Sequence, residues 1–141
     1  MDVQGYNLPE DLLYDPAHYW IRVEGDEIVL GMDDFAQKLA GEIVYVKLPE
    51  DGKKLTKGKT LAKVESGKWL GKINSPATGV LVAVNEALES SPDLINKDPY
   101  GEGWMYRIKP DDMADLDDLI KGADAIREWM MQEIAKHAEE A

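Results

Sequence analysis

The feature that most constrains the fold of this chain is a series of short apolar segments, separated by turn residues, between Trp20 and Arg107. Apolar runs of this length, bounded by glycine, proline and aspartate, are typical of β-strands. Many short strands at this spacing predict a sandwich or a flattened barrel. The predicted strands are Trp20–Val23, Glu27–Leu30, Glu42–Lys47, Leu61–Glu65, Gly79–Val84 and Met105–Lys109.

Two short helices are predicted to interrupt the strands. The first covers Asp34–Ala40, with Asp33 as the N-cap and Gly41 as the residue that ends it. The second is predicted to begin at Ser91-Pro92-Asp93, because a capping residue, a proline and an acid stand there in the order that starts a helix.

A longer amphipathic helix is predicted towards the C-terminus, inside a helical segment of about residues 113–139. Its apolar residues recur at the spacing of one helix face, and we expect that face to pack on the strands rather than on a partner protein. The chain is therefore predicted to be a single domain over residues 1–141, mainly β with short helices, with a β body of about residues 14–110. The apolar stripe comprises Ile126, Trp129, Met130, Ile134 and Ala138.

The sequence offers little for a conventional enzyme site. It contains no cysteine, so disulfide bonds, thiolate metal sites and cysteine nucleophiles are excluded. Its two histidines, His18 and His137, are far apart in the sequence, and no serine-hydrolase, zinc-protease or phosphate-loop motif is present. We therefore predict neither catalytic residues nor a metal site, and any sulfur chemistry would need a cofactor.

Charge and hydropathy restrict the classes of partner. The net charge of −12 disfavours nucleic acid, because phosphate binding needs clustered lysine and arginine, and it favours docking on basic protein surfaces. No apolar run approaches the roughly 20 residues of a membrane helix, and the N-terminal segment lacks the basic and apolar regions of a signal peptide. We expect a cytoplasmic protein with neither a nucleic-acid nor a membrane partner.

One segment, residues 61–79, has a pattern with chemical meaning. An extended run enters at Leu61, Gly67-Lys68 lies where a tight hairpin turn is predicted, and the chain from Trp69 onward returns towards Ser75-Pro76. Glycine would supply the positive φ that tight hairpin turns require. A lysine at such a tip projects into solvent, where a modifying ligase can reach it. Spacing alone does not separate this lysine from an ordinary solvated turn residue.

A set of motifs in a fixed order resembles the H-protein of the glycine cleavage system over roughly residues 14–130. That family attaches its cofactor to the lysine of an E-S-x-K motif, which is followed by Ser-Pro and then by Thr-Gly or Ser-Gly. Each fragment alone is unspecific, but the ordered set is highly specific. The matching blocks are His18 with Trp20, Asp34-Phe35-Ala36-Gln37, Ile43–Pro49, Lys57-Gly58, Glu65-Ser66-Gly67-Lys68, Ser75-Pro76, Thr78-Gly79, Asn85–Leu88 and Asp98–Trp104.

The resemblance implies a lipoyl-domain barrel-sandwich hybrid with a C-terminal α-helix. It also implies lipoate in amide linkage to Lys68, flanked by Glu65, Ser66, Gly67 and Trp69, and a lipoate-protein ligase that attaches it. Acylation removes the charge of the lysine. The resulting tether keeps its dithiolane at high effective concentration near a docked partner. A protein of this kind is a cofactor-carrying component of a multienzyme system, not an enzyme.

Four residues depart from the family pattern. The family has a glutamate where Tyr19 stands and an aspartate where Lys72 stands, and these acids help to hold a cationic aminomethyl cargo. A phenol and a base at these positions predict an arm or cargo site that disfavours a cation. Around the attachment lysine, Gly67 and Trp69 resemble the H-protein-like lipoate-binding proteins of bacterial sulfur oxidation. Trp69 has two open roles, packing across the hairpin or recognition of a partner.

The four departures together favour a lipoyl carrier that holds sulfur intermediates for a heterodisulfide-reductase-like complex. The alternative is a glycine cleavage H-protein, which shuttles an aminomethyl group among glycine decarboxylase, aminomethyltransferase and dihydrolipoyl dehydrogenase. A biotinyl carrier fits less well, because that family prefers methionine beside its lysine. An unmodified scaffold domain is disfavoured by the intact E-S-x-K motif.

Overall fold

The chain is built mainly from antiparallel β-strands, with a long helix at its C-terminal end, in a computed structural model that describes residues 1–140. The predicted fold class is therefore confirmed. The strands are β1 (Asp2–Val3), β2 (Tyr6–Asn7), β3 (Leu13–Asp15), β4 (Tyr19–Glu24), β5 (Glu27–Met32), β6 (Ile43–Val46), β7 (Lys54–Leu55), β8 (Thr60–Ser66), β9 (Leu70–Asn74), β10 (Gly79–Val84) and β11 (Tyr106–Pro110).

The strands form three sheets. β1 and β2 make a small hairpin, a six-stranded sheet has the order β3-β4-β5-β11-β10-β7, and a three-stranded sheet has the order β6-β8-β9. Every pairing within these sheets is antiparallel. The turn between β8 and β9 of the three-stranded sheet carries the E-S-x-K motif.

Four α-helices and one 3-10 helix connect or cover the sheets in the described residues. α1 matches its predicted bounds, and the Asp33 side chain accepts a hydrogen bond from the N–H of Ala36 as an N-cap. None of these helices combines the length and the apolar character needed to cross a bilayer. The helices are α1 (Asp34–Ala40), α2 (Ala87–Ser90), α3 (Leu94–Lys97), the 3-10 helix (Met113–Leu116) and α4 (Ala123–Glu140).

The prediction that a helix begins at Ser91-Pro92-Asp93 is wrong by about three residues. Ser91 lies at the C-terminal end of α2, a helix that the sequence reasoning missed, and its N–H donates to the carbonyl of Ala87. α3 begins only at Leu94, and the Asp93 side chain makes no capping hydrogen bond. The predicted helix is therefore a single turn, α3, and a second single turn, α2, precedes it.

Strand alternation divides the apolar side chains between two hydrophobic clusters. In β4, Tyr19 and Ile21 belong to the first cluster and Trp20, between them, belongs to the second, because successive side chains of a strand point to opposite faces. The first cluster joins the two larger sheets, with Ile108 from one and Val64 from the other. Both faces of the six-stranded sheet are therefore covered around β4 and β5.

The second cluster includes the apolar stripe of α4. Ile126 and Met130 are fully buried, and Trp129 and Ile134 are partly buried against them. The helix thus packs on the strands, as its apolar spacing predicts. Ala138, the last residue of the predicted stripe, is exposed, so it does not contribute to this contact.

Candidate functional site

The E-S-x-K motif lies at the tip of the β8–β9 hairpin, and its lysine, Lys68, is exposed. Gly67 and Lys68 form the two-residue turn, which is closed by a hydrogen bond of 2.8 Å from the N–H of Ser66 to the carbonyl of Trp69. The prediction that Gly67 supplies a positive φ is wrong, because this turn is made with Gly67 outside the left-handed region. A Cβ built on Gly67 would meet no heavy atom within 4 Å.

The base of the hairpin tip is fixed to helix α1. The hydroxyl of Ser66 donates to the carbonyl of Ala40, the last residue of α1, at 2.5 Å. The N–H of Lys68 in turn donates to the Ser66 hydroxyl at 3.4 Å. The serine of the E-S-x-K motif therefore has a structural role, since it connects the hairpin tip to the body of the protein.

The stem of Lys68 lies over Gly41, the residue that ends α1. Gly41 has φ +79°, and a Cβ built there would lie 3.1 Å from Lys68 Cε. Both the conformation and the close approach favour glycine. The two residues line a shallow cavity of about 330 Å³ together with Ala40, Glu42, Val44 and Gly67.

Asn96 holds the loop that presents Gly41, and the sequence reasoning missed it. Its side-chain amide donates to the Gly41 carbonyl at 2.8 Å, and its side-chain oxygen accepts from the N–H of Ile43 at 2.8 Å. Asn96 lies in a single-turn helix with no apolar periodicity, so the sequence carries no signal for this contact.

Trp69 packs on its own strand. A Cβ built on Gly71 would come within 2.0 Å of the indole ring, so the ring occupies the space that a side chain at position 71 would need. Trp69 is nevertheless 39% exposed. The structure therefore gives Trp69 a packing role and leaves part of its ring open to solvent.

The structure brings the predicted arm or cargo residues, Tyr19 and Lys72, together through the backbone. The Tyr19 hydroxyl donates to the carbonyl of Lys72 at 2.8 Å, and Tyr19 is only 6% exposed. Burial raises the pKa of the Tyr19 phenol, so the hydroxyl stays a donor at neutral pH. Lys72 itself is exposed on β9. A direct contact of this pair with a cargo remains a prediction.

The residues at the tip suit an acylated lysine. Lys68 is exposed, and none of the ion pairs or hydrogen bonds among the described side chains of residues 1–138 engages its Nζ. Its stem rests against Gly41, which has no side chain. A ligase can therefore reach the amine, and an uncharged acyl amide would leave no ion partner unpaired.

Comparison with known proteins gives one consistent answer. The family model described as glycine cleavage H-protein matches residues 12–133. The glycine cleavage system H protein of Thermus thermophilus is 48% identical over 114 residues, which cover 81% of this chain and 89% of that protein. The protein of the same name from Acinetobacter baylyi is 48% identical over 118 residues, covering 84% and 95%.

Solved structures agree with the sequence comparisons. The crystal structure of a glycine cleavage system H protein from Mycobacterium marinum superposes with a TM-score of 0.77 at 32% identity. The match covers 89% of this chain and 98% of that chain. Together with the sheets described above, it supports the predicted barrel-sandwich fold.

The expectation of a sulfur-oxidation carrier is wrong. Relatives at 48% identity over more than four-fifths of the chain are glycine cleavage system H proteins. Two of the departures that suggested sulfur oxidation have packing roles in the structure, since Tyr19 bonds the backbone of β9 and Trp69 lies over Gly71. These two residues therefore help to hold the hairpin in place, and their identity does not indicate which cargo is carried.

Members of the matching family are lipoyl carriers that carry a lipoyl-lysine cofactor and serve the glycine cleavage multienzyme system without being enzymes themselves. With the fold, the hairpin-tip lysine and the family model in agreement over residues 12–133, this chain belongs to the glycine cleavage H-protein family.

Proposed function

We propose that Lys68 is the lipoyl attachment residue and that the chain shuttles the aminomethyl group of glycine cleavage. A lipoate-protein ligase would load it, and its partners would be glycine decarboxylase, aminomethyltransferase and dihydrolipoyl dehydrogenase. The observation that carries this proposal is the exposed lysine at a hairpin tip whose base is hydrogen-bonded to α1. The Gly67-Lys68-Trp69 sequence at the tip is compatible with this function.

The residues around Lys68 have separate parts in this function. When bound, the lipoyl group supplies two sulfurs that accept a one-carbon unit and cycle between disulfide and dithiol. Ser66 holds the tip at a fixed place, so the tether starts from a rigid base. Gly41 leaves room for the lysine stem, and acylation of Lys68 removes a charge that would otherwise sit at this point.

A cavity beside β9 is the best candidate for the cargo. It has a volume of about 230 Å³ and its lining includes Asp15, Tyr19, Lys57, Asn74 and Asp118. Lys57 already forms an ion pair with Asp118 at 3.1 Å. Asp15 is half-buried and supplies a second carboxylate beside the Tyr19 phenol. A carboxylate here can attract a cationic aminomethyl group.

Asp15 lies outside the two positions, those of Tyr19 and Lys72, at which the family has its acids. The side chain of Asp15 lines the same cavity as Tyr19 because β3 pairs with β4, with Asp15 opposite Tyr19. A carboxylate on the neighbouring strand can take the place of one on β4.

The attachment residue is tested by intact mass spectrometry. Protein treated with lipoate and lipoate-protein ligase should gain one lipoyl group, and Lys68→Arg should gain none, because arginine offers no amine for acylation. Lys63→Arg, an exposed lysine on the same hairpin, is the matched control and should be loaded as the wild type. Loading of Lys68→Arg on another lysine would contradict the assignment.

The cargo cavity is tested by Asp15→Asn. Loss of one partly exposed carboxylate partner costs about 1 kcal/mol once solvent screening is allowed for, which is about a fivefold fall in aminomethyl transfer. Asp117→Asn, an exposed acid near the same end of the molecule, should transfer at the wild-type rate. Equal rates for Asp15→Asn and the wild type would remove Asp15 from the cargo site.

A further inference from the structure

The charge of this protein is distributed very unevenly. Residues 47–72 contain eight lysines and only three acids, which gives this segment a net charge of +5. Since the whole chain has a net charge of −12, the remaining residues carry −17. The basic segment contains β8 and β9, whose turn presents Lys68. The segment that contains Lys68 is therefore opposite in sign to the rest of the chain, and it stays basic, at +4, when acylation removes the charge of Lys68.

Three of these lysines stand in one row across the three-stranded sheet. Lys63 on β8 faces Lys72 on β9 in the strand register. On the other side of β8, the N–H of Lys47 donates to the carbonyl of Lys63 at 3.0 Å. Cross-strand neighbours lie about 5 Å apart at Cβ. We call this row of Lys47, Lys63 and Lys72 the lysine row.

The lysine row points to solvent. All three lysines are exposed, and on β8 and β9 the residues on either side of Lys63 and Lys72 are buried, as strand alternation requires. Next to the row, and nearer the tip, lie Tyr45, Glu65 and Leu70, which are also exposed. The outer face of the sheet therefore combines a basic row with a partly apolar border beside the arm.

The lysine row has no acidic partner among the side chains that the structure describes. Within residues 1–138, none of the ion pairs involves Lys47, Lys63 or Lys72. Like charges directly opposite one another in a sheet are destabilising. Three unpaired lysines in a row are therefore unfavourable for the isolated fold and become favourable when an acidic surface covers them.

The local charge, not the net charge, governs contact at short range. At physiological ionic strength the Debye length is about 8 Å, so distant acids are largely screened from a surface that lies against the lysine row. The net charge of −12 alone predicts a basic partner, whereas the face that bears the arm predicts an acidic one. The acidic remainder would also repel an acidic partner and turn the basic face towards it.

We propose that the lysine row docks on an acidic protein surface, rich in aspartate and glutamate, that surrounds the opening through which a partner enzyme admits the arm. The inference rests on the proposed function, because it requires that the arm on Lys68 enters an enzyme. The arm starts from the turn between β8 and β9, and the same two strands carry Lys63 and Lys72, so an enzyme that receives the arm comes close to the lysine row. The lysine row then sets the orientation in which the carrier arrives.

The test compares two lipoylated double variants that change the net charge equally. K47Q/K63Q removes two charges from the lysine row, and K121Q/K136Q removes two exposed lysines outside the basic segment. Lys72 is left in place because its carbonyl is bonded to Tyr19 beside the cargo cavity. The apparent KM of glycine decarboxylase for each carrier is measured at low and at high salt.

At low salt, the KM for K47Q/K63Q should rise about fivefold over the wild type, and the difference should vanish at high salt. The KM for K121Q/K136Q should stay within about twofold of the wild-type value at both salt concentrations, because the two charges that it removes lie outside the docking face. Equal effects of the two variants, or a lower KM for K47Q/K63Q, would overturn the proposal.

A second measurement does not depend on glycine cleavage. Binding of the lipoylated protein to poly-L-glutamate at low salt should weaken in K47Q/K63Q and not in K121Q/K136Q. The wild type could fail as a carrier in glycine cleavage while its polyglutamate binding still depends on Lys47 and Lys63. The proposed function would then be wrong, and the proposal of an acidic partner surface would be supported. If polyglutamate binding does not depend on Lys47 and Lys63, or if duplex DNA binds more tightly than polyglutamate, the acidic protein surface is rejected.

Discussion

At the scale of single residues, His18 shows how a motif residue can be structural. Its Nδ1 lies 3.0 Å from Asp33 Oδ2 and its Nε2 lies 2.8 Å from Glu133 Oε1, and it is only 7% exposed. Its ring stacks on Trp129 with centroids 4.7 Å apart. His18 therefore joins the N-cap of α1 to the C-terminal helix α4, and it does so with φ +72°, a conformation that few non-glycine residues adopt.

The charged form of His18 fits this environment best. Both ring nitrogens face carboxylate oxygens, and only the imidazolium can donate from both. Burial by itself lowers the pKa of His18, but the hydrogen bonds and charges of Asp33 and Glu133 more than offset burial and raise it above its ordinary value. The raised pKa links this cluster to the stability of the fold.

The His18 cluster predicts a stability that falls at alkaline pH. Because the folded-state pKa is raised, the stabilisation is fully present below the ordinary pKa of about 6.5 and is lost as pH rises through the raised value. Urea unfolding of the wild type at pH 6 and pH 9 measures the loss. His18→Gln should cost about 2 kcal/mol at pH 6 and less at pH 9. A wild type whose stability does not fall between pH 6 and pH 9, or a His18→Gln variant that keeps the full pH dependence of the wild type, would refute the cluster's role.

At the scale of elements, α4 is expected to contribute directly to stability. Trp129 is partly buried between His18 and Tyr14, so Trp129→Ala should lower the free energy of unfolding by about 2 kcal/mol. The control is Met131→Ala, because Met131 lies on the same helix but is 43% exposed, and its cost should be below about 0.5 kcal/mol. Equal stability of Trp129→Ala and the wild type would mean that α4 contributes little to the fold.

The central strands could be predicted from the sequence because their apolar runs are long enough to show a pattern. β10 matches its predicted bounds, and the predicted β4 and β8 differ from the observed strands by one residue at each end. β1, β2, β3 and β7 were missed, since a strand of two or three residues has no periodicity to detect. The hairpin tip was found from the E-S-x-K motif, whereas spacing alone leaves Lys68 an ordinary turn residue.

The parts of the site that the sequence did not reveal depend on contacts between distant elements. Asn96 bonds residues 53 and 55 positions away in the chain, and Asp15 reaches the cavity proposed for the cargo through strand pairing with β4. The hydroxyl of Tyr19 meets a carbonyl 53 positions away. No local pattern specifies such contacts, so a comparison of acids position by position does not reveal that the Asp15 carboxylate lies in the same cavity as Tyr19.

At the scale of the whole molecule, we propose that residues 1–141 form a single domain. The two hydrophobic clusters share β4 and β5, with side chains of each strand divided between them. Loss of α4 would uncover one face of the same strands that build the other cluster. Lys68 is thereby presented by a body in which the hairpin is connected to α1 through Ser66 and Ala40, and α1 to α4 through His18 and Glu133.

The central claim is that this body carries a lipoyl arm on Lys68 for glycine cleavage. The measurement that tests it most directly is glycine–bicarbonate exchange catalysed by glycine decarboxylase, with this protein, fully lipoylated, as the only carrier. We expect exchange at the rate supported by a glycine cleavage H protein, and none with Lys68→Arg. Absence of exchange from the fully lipoylated wild type, or undiminished exchange from Lys68→Arg, would contradict the account.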